Sequence, residues 1–527
     1  MINPPRLARF PKSVVTAVMM VAVLLWSGAT ASPRATAGVV GSRFHKEDSA
    51  CKDAGPRGCL ALAFEAMGGR AKLEGIKSLR TQFVGHTLLT EQSYRQEPFI
   101  SAYDRTKETV DFTGKRLERE VHGTWPESDN GQSDFDQTLV AAPTGGIYRG
   151  SGADRPCALG DIYSVRYALA LGPARVLLTA ANAPDLRFEG TRELRSTPHT
   201  ILAFTWEGIP VKVMINQFNH LPDGVESVAQ FQDFWYYWGD VTRLIYFDNW
   251  QLFNGLLYPT NMVEERNGVL WRSTQVIGLE SNVAIDEALF RMDAAVAAKS
   301  VQSPGWDQAF RTGKPIDLAP DVTLFPGSWN VTIVKQPDGL VILEAPISGT
   351  YIDGAIKEAQ RRYPGAPIKA VLSTSDSWPH VGGVRQCVAL GLPVYILDLN
   401  RRLLDRFVSA PHTSHPDTLA QAPRAPKWIP VSGRVEVGAG ENRMELYPLR
   451  GASTERQYMV YFPERRLLYA SDTLVINPDG TLYDPELMHE VVQAVKREGL
   501  QVTTVYAMHQ APIPWAQAAA LVQKALD

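Results

Sequence analysis

The segment 368–400 restricts the possible folds of this chain more than any other stretch. Two apolar runs of strand length, 368–373 and 392–397, flank a stretch in which apolar residues recur at helical spacing. A strand, a helix and a second strand in this order predict a parallel βαβ unit. The loop 373–383 would then lie at the carboxyl end of a parallel strand, where open α/β sheets bind their ligands.

That loop contains His380 followed by Val-Gly-Gly. A His-x-Gly-Gly sequence after a strand resembles the metal loop of the metallo-β-lactamase superfamily. The patterns of residues 320–527, with a hairpin, βα units and a closing helical stretch, are similar to the αββα sandwich of that superfamily. The resemblance implies a hydrolase fold with a metal site at one edge of its sheets.

The first half of the chain has a different pattern. Between residues 76 and 293, short runs with period-two alternation recur between turn signals, which predicts antiparallel strands. Helical stretches are expected at 60–73, interrupted by Gly68-Gly69, and at 161–181, interrupted by Gly172-Pro173. This half resembles a lipoprotein-carrier-type half-barrel. The aromatic residues of 231–250 indicate either a stacking platform or packing on a sheet face, and packing is favoured.

The predicted fold class is therefore α+β, with an antiparallel β half-barrel and helices first and a metallo-β-lactamase-like αββα sandwich second. The expected segments are a signal peptide (1–31), a loosely ordered stretch (32–56), the half-barrel-like domain (57–295), a linker (296–320) and the metallo-β-lactamase-like domain (321–527).

The first 31 residues indicate export. Arg6, Arg9 and Lys12 precede an apolar run that is too short for an ordinary membrane span, and Ala29-Thr30-Ala31 fits a cleavage site. A periplasmic or secreted protein with no stable membrane span after cleavage is expected. Cys51 and Cys59 are close enough to form a disulfide in an oxidising compartment, or they are two free thiols. The net charge of −3 and the absence of a basic stripe exclude a typical nucleic-acid binder. The oligomeric state is not readable.

The superfamily resemblance implies the site residues. Its members carry His-x-His-x-Asp-His, a later His, a strand-end Asp and a last His. With His380 as anchor, Ser375 and Ser377 occupy the two leading histidine positions, and Ser453 most closely matches the later one. His380, Asp472 and His509 remain as candidate metal ligands, with His380 and Asp472 as the candidate catalytic residues. Asp376 is a candidate for one further oxygen ligand.

Three functions are compatible with these residues. In the first, one Zn or Fe ion supplies a metal-bound hydroxide that attacks an ester, amide or lactone of a small-molecule substrate. In the second, the chain is a non-catalytic pseudoenzyme, and an alternative class is a protein that binds a hydrophobic ligand in residues 60–295. In the third, Ser375, Ser377 or Ser453 acts as a nucleophile with His380 and Asp472, but no G-x-S-x-G motif supports it.

Overall fold

The computed structural model describes residues 49–88, 101–124, 134–150, 152–233 and 235–526. The expected signal peptide lies outside these residues, as does most of the stretch 32–56. Within them, no helix has the length and apolarity that crossing a membrane requires.

Twelve α-helices occur in the described residues, and several begin or end at the predicted positions. In chain order they are α1 (Ser49–Ala66), α2 (Arg70–Glu74), α3 (Leu159–Leu171), α4 (Val176–Asn182), α5 (Ala294–Val301), α6 (Gly349–Arg362), α7 (Trp378–Val381), α8 (Val384–Ala389), α9 (Arg401–Ser409), α10 (Thr418–Gln421), α11 (Pro485–Arg497) and α12 (Trp515–Leu526). The α1/α2 break falls at Gly68-Gly69 and the α3/α4 break at Gly172-Pro173, as the glycine and proline positions predict.

The first sheet is antiparallel and has 13 strands in the described residues. They are β1 (Ser78–Leu88), β2 (Ser101–Asp111), β3 (Arg116–Thr124), β4 (Asp134–Ala142), β5 (Gly145–Arg149), β6 (Arg155–Pro156), β7 (Arg187–Leu194), β8 (Thr197–Trp206), β9 (Ile209–Asn216), β10 (Pro222–Ala229), β11 (Val241–Phe253), β12 (Leu256–Arg266) and β13 (Val269–Ser281). The spatial order runs from β6 to β1 and then from β13 to β7, so β1 pairs with β13.

The second sheet contains the predicted βαβ unit. Its seven described strands are β14 (Ile316–Ala319), β15 (Val322–Phe325), β16 (Val331–Gln336), β17 (Gly339–Leu343), β18 (Ile368–Ser373), β19 (Pro393–Leu397) and β20 (Lys427–Val431), in this spatial order. Strands β17 to β20 are parallel, so the parallel pairing predicted for β18 and β19 is confirmed.

The third sheet has six described strands. They are β21 (Val435–Val437), β22 (Met444–Pro448), β23 (Tyr458–Phe462), β24 (Leu467–Tyr469), β25 (Thr504–Tyr506) and β26 (Ile513–Pro514), in this spatial order. Only β24 and β25 are parallel among these pairs. The protein is thus a mixed α and β fold with a large antiparallel sheet, which agrees with the predicted class.

Apolar side chains place the second and third sheets against each other. Leu343 and Leu372 of the second sheet share one buried cluster with Val460 and Tyr506 of the third. Helices α6 and α8 cover the other face of the second sheet, while α11 and α12 cover that of the third. Helices α1, α2 and α4 pack on the first sheet, and their apolar residues form a separate buried cluster with residues of that sheet. The site described below therefore stands on strands that are fixed on both faces.

Two segments differ from the expected organisation. Helix α1 begins at Ser49, within the stretch that was expected to be loosely ordered, and the Cys51–Cys59 disulfide joins the two sides of a break in this helix at Gly55, where φ is +72°. The expected linker 296–320 contains most of α5, where Ser300 accepts a hydrogen bond from the Gly146 N–H, and it also supplies β14. Tertiary packing orders both segments although their sequences have weak periodicity.

The loop 235–240, which follows β10, docks onto the segment 411–414 of the C-terminal half. The Asp240 carboxylate accepts the N–H groups of Thr413 and Ser414 at 2.7 and 3.1 Å. The rings of Tyr237 and Trp238 both contact Phe407 edge-on. Tyr237 and Trp238 therefore pack against α9, not on the sheet face that the favoured interpretation expected.

Replacing Gly239 with alanine should destabilise this contact. Gly239 has φ +68°, and a Cβ there would lie 2.3 Å from the Pro411 carbonyl oxygen. We expect a loss of about 2–4 kcal/mol in the free energy of unfolding, measured by urea denaturation. Gly208→Ala is the matched control, because Gly208 has φ +81° with no atom within 4 Å of the added Cβ. An equal loss in both variants would show that the contact with Pro411 is unimportant.

A buried carboxylate in β3 predicts a pH effect. Glu118 is 1% exposed and its Oε2 has no hydrogen-bond partner among the described residues. Burial and the neighbouring Glu120 raise the pKa of Glu118 from 4.5 to about 7. The folded protein therefore holds this proton more tightly, so ionisation of Glu118 should reduce stability as the pH rises from about 4.5 to 7.

Glu118→Gln removes that ionisation. We expect the variant to gain about 1–3 kcal/mol relative to the parent protein between pH 5 and pH 8, measured by urea denaturation at each pH. Glu441→Gln, at a side chain that is 75% exposed, is the control. A constant difference in stability across this pH range would contradict the assignment.

Candidate metal centre

The first element of the site is the loop that follows β18. Thr374 to Ser377 are buried, and the His380 N–H donates to the Ser377 carbonyl within the short helix α7. The two glycines after His380 are required by close packing: a Cβ on Gly382 would lie 2.3 Å from the Ile347 carbonyl oxygen. This packing holds the His380 side chain, which is 0% exposed, at the carboxyl end of the second sheet.

Asp472 and His509 extend from the third sheet. Asp472 follows β24, and its N–H donates to Gln457 Oε1 at 3.1 Å. His509 follows β25, and the Met508 N–H donates to the Ser471 carbonyl, which joins the two loops. Because β24 and β25 are parallel, their carboxyl ends meet at one edge of the sheet. The fold therefore brings residues that are distant in sequence to one place.

The three predicted ligands converge. One ligand atom of each of His380, Asp472 and His509 lies within 4.8 Å of those of the other two. Asp472 is central, with Oδ2 3.2 Å from His380 Nε2 and Oδ1 3.3 Å from His509 Nε2. His380 is buried, Asp472 is partly exposed, and His509 is exposed. The site therefore has a closed side at His380 and a side that faces solvent at His509.

The distance from each imidazole to its nearer Asp472 oxygen is close to that between two ligands of one divalent metal ion, although the two imidazoles face different oxygens. Two ligand atoms that are each bound at 2.0–2.1 Å to a tetrahedral ion lie roughly 3.3 Å apart. The His509 Nδ1–H donates to the Ser328 carbonyl at 2.7 Å, which leaves Nε2 as the acceptor nitrogen on the side of Asp472. Neither ring nitrogen of His380 makes a hydrogen bond of good angle, although the ring is wholly buried. An ion bonded to His380 Nε2 would satisfy one of these nitrogens.

The charges of His380 and Asp472 strongly affect each other. Burial would lower the pKa of His380, but the carboxylates of Asp472 and Glu344 raise it to about 10. Burial would raise the pKa of Asp472, yet His380 and His509 hold it well below its ordinary value. Without an ion, Asp472 is therefore an ionised carboxylate and His380 a protonated imidazolium near neutral pH, so an ion that binds His380 Nε2 must displace a proton.

Glu344 is a buried carboxylate that the sequence interpretation missed. Glu344 directly follows β17, has a φ angle of +79° and is 0% exposed. Its carboxylate accepts hydrogen bonds from the hydroxyls of Thr374 and Tyr469, and it lies 3.7 Å from His380 Nδ1. An acidic residue within the apolar run 340–347 was the one signal that could have indicated it.

The remaining predicted residues lie near the site without joining the convergent group. Ser375 and Ser377 are buried, and the Ser377 N–H donates to Ser375 Oγ at 3.1 Å. Asp376 is buried on the same loop and is not one of the three residues whose ligand atoms converge. Ser453 donates from its N–H to Glu490 and from Oγ to Glu486 on α11. Among the described residues, none of the three serine hydroxyls forms a hydrogen bond with the His380 ring, so the geometry does not support the serine nucleophile.

A large cavity lies elsewhere in the molecule. Its volume is about 720 Å³, and residues of β1 to β3, β10 to β13, α3 and the 172–175 turn line most of it. His380, Asp472 and His509 are not part of its lining. Aromatic rings lie between the cavity and the site: the ring centroid of Trp306, which lines the cavity, is 6.3 Å from that of Trp329, and the Trp329 centroid is 5.9 Å from that of His509.

Neither a protein-family model nor a curated protein matches the sequence. Solved structures do match it. A stereoselective inverting sec-alkylsulfatase from a Pseudomonas species is 15% identical over 40% of this chain, with a TM-score of 0.30, and the match spans 41% of the alkylsulfatase. A metallo-β-lactamase from Pontibacter korlensis is 14% identical over 40% of this chain and 98% of its own, with a TM-score of 0.31. The DIM-1 metallo-β-lactamase is 13% identical over 40% and 97%, with a TM-score of 0.32. Two of these three structures are metallo-β-lactamases.

Proposed function

We propose that residues 321–527 form an αββα sandwich of metallo-β-lactamase type that binds one divalent ion, Zn or Fe, and hydrolyses an ester, amide or lactone. His380, Asp472 and His509 would hold the ion. The observation that carries this proposal is the convergence of their ligand atoms within 4.8 Å from three separate loops. Two imidazoles and one carboxylate are a ligand set that zinc and non-haem iron accept while leaving positions open for substrate.

The chain's own residues have distinct roles in this proposal. A bound ion would supply Lewis acidity toward the substrate carbonyl and lower the pKa of a water. Asp472 contacts both imidazoles and supplies the negative charge. Ser328 orients His509, and Glu344 lies behind His380 as a positioning residue. Because His509 is the exposed member, substrate would approach from its side.

Metal dependence of hydrolysis tests the proposal. Chelator-treated protein and protein reconstituted with Zn²⁺ or Fe²⁺ would be assayed against chromogenic esters, amides and lactones. We expect hydrolysis that appears only with metal and is lost in His380→Ala. Binding of one ion with no turnover of any substrate would support the pseudoenzyme instead. Hydrolysis that persists without metal would overturn the proposed site.

We propose a second function for the first sheet, which we infer to be a half-barrel that binds a hydrophobic ligand. The cavity supports this, since about 720 Å³ lies within the range of small-molecule sites, roughly 300–1,000 Å³. Phe83, Phe247 and Met262 supply apolar surface in it. We also propose that the protein is exported, which the Cys51–Cys59 disulfide supports.

A further inference from the structure

The cavity in the first sheet is apolar at one end and strongly charged at the other. Cross-strand neighbours on its wall show the change along the sheet: Leu79 lies opposite Val110, whereas Glu264 lies opposite Arg272. Tyr258 and Phe247 also line the cavity. A ligand that fills this cavity therefore needs an apolar body, yet it also meets ionised groups.

Most of the charged groups in the cavity neutralise one another. The guanidinium groups of this set pair with carboxylates of the same lining, in the pairs Arg272–Asp104, Arg119–Glu108, Arg243–Glu264, Arg266–Glu264, Arg266–Asp233 and Arg166–Glu207. A ligand anion would have to compete with an existing carboxylate at each of them. These arginines are therefore poor choices for recognition of a ligand charge.

Arg175 differs from the others. Its guanidinium donates to the main-chain carbonyls of Leu73 and Ile76 and stacks on Phe112, with Cζ 3.6 Å from the ring centroid. It pairs with no carboxylate among the described residues, and its Nε is buried without a hydrogen-bond partner. Burial lowers the pKa of Arg175 to about 10, and no neighbouring anion opposes this effect. Among the residues that the structure describes, the cavity thus contains a cation without a counter-ion.

The remaining acid of the lining does not compensate for Arg175. Asp161 accepts hydrogen bonds from the Tyr148 hydroxyl and the Ala158 N–H. Burial raises the pKa of Asp161, which weakens its tendency to ionise. A cation at the apolar end of the cavity therefore remains for an anion from outside the chain, where low polarity strengthens a charge-assisted hydrogen bond.

We propose that the cavity binds an anionic amphiphile, with an apolar body along Phe247 and Tyr258 and one carboxylate, sulfate or phosphate group paired with Arg175. The inference rests on the second proposed function, the binding of a hydrophobic ligand by the first sheet. It adds the charge of the ligand and the residue that recognises it.

Calorimetric titration of the full-length, chelator-treated protein tests this proposal without involving the metal centre. The probes are decanoate, decyl sulfate and decyl phosphate. Decan-1-ol, which has the same chain length and no charge, is the control. We expect the anions to bind about 10- to 100-fold more tightly than the alcohol. Comparison among the three anions identifies the preferred head group.

Four variants sharpen the test. Arg175→Gln should remove the preference for anions, while Arg175→Lys should restore part of it and so exclude a mere loss of folding. Arg187→Gln removes the same charge from a side chain that is 53% exposed and outside the cavity lining, and it should change nothing. Ala229→Trp adds a large ring at the cavity wall and should weaken every probe.

The failures are distinguishable. If decanoate and decan-1-ol bind equally well to the parent protein, or if Arg175→Gln keeps the preference for anions, the assignment of Arg175 is wrong and the cavity function stands. If neither probe binds the parent protein, both the second proposed function and this inference are overturned.

Discussion

Replacing Asp472 with alanine should abolish metal binding and destabilise the protein. The carboxylate contacts both imidazoles, at 3.2 and 3.3 Å. Its loss removes a metal ligand, so we expect affinity for Zn²⁺ to fall at least about 100-fold. It also leaves the wholly buried His380 without its closest carboxylate. Removing one partner of a buried ion pair costs about 3–5 kcal/mol.

Two measurements on the Asp472 variant separate these effects. Isothermal titration with Zn²⁺ reports the affinity, and urea denaturation of the metal-free protein reports the stability. Asp338→Ala is the control, because Asp338 forms a comparable ion pair with Lys369 at a carboxylate that is 68% exposed. Equal zinc affinity in Asp472→Ala and the parent protein would show that the ion, if bound, lies elsewhere.

Replacing Glu344 with alanine should have the next largest effect. The carboxylate is 0% exposed and accepts hydrogen bonds from Thr374 and Tyr469 while it faces His380. Its removal leaves the Tyr469 hydroxyl buried without its acceptor, which costs about 1–3 kcal/mol. It also frees the His380 ring to turn, so we expect metal affinity to fall about 10- to 100-fold.

Glu344→Gln is the matched variant for this prediction. Glutamine keeps the shape and an acceptor oxygen for Thr374 or Tyr469 but removes the charge that faces His380. We expect a smaller loss of stability than in Glu344→Ala, measured by urea denaturation, and an intermediate zinc affinity. Unchanged stability and affinity in Glu344→Ala would contradict its role as a positioning residue.

The sequence predicted those parts of the fold that depend on local periodicity. The βαβ unit around β18 and β19 was recognisable because its apolar runs and glycine positions all agree. The residues His380, Asp472 and His509 were recognisable through the resemblance to the metallo-β-lactamase motif, which His380-Val-Gly-Gly anchors. Their convergence follows from the parallel pairing of β24 with β25, which no local pattern in the sequence reveals.

Other features depend on contacts between distant residues and could not be predicted from the sequence. Helix α5 and strand β14 are ordered by β5 and β15, although their own sequences resemble a linker. Glu344 lies in a short apolar run, and its contacts with Thr374, directly after β18, and with Tyr469 show why an acid is placed there. The orientation of His509 by the Ser328 carbonyl depends on a main-chain atom, which carries no residue-specific signal.

The metal content of the protein tests the central claim most directly. Protein purified without chelator would be analysed by inductively coupled plasma and native mass spectrometry, before and after addition of Zn²⁺ or Fe²⁺. The account predicts one divalent ion per chain in the parent protein and none in a His380→Ala variant. A chain that remains metal-free after both additions would contradict it.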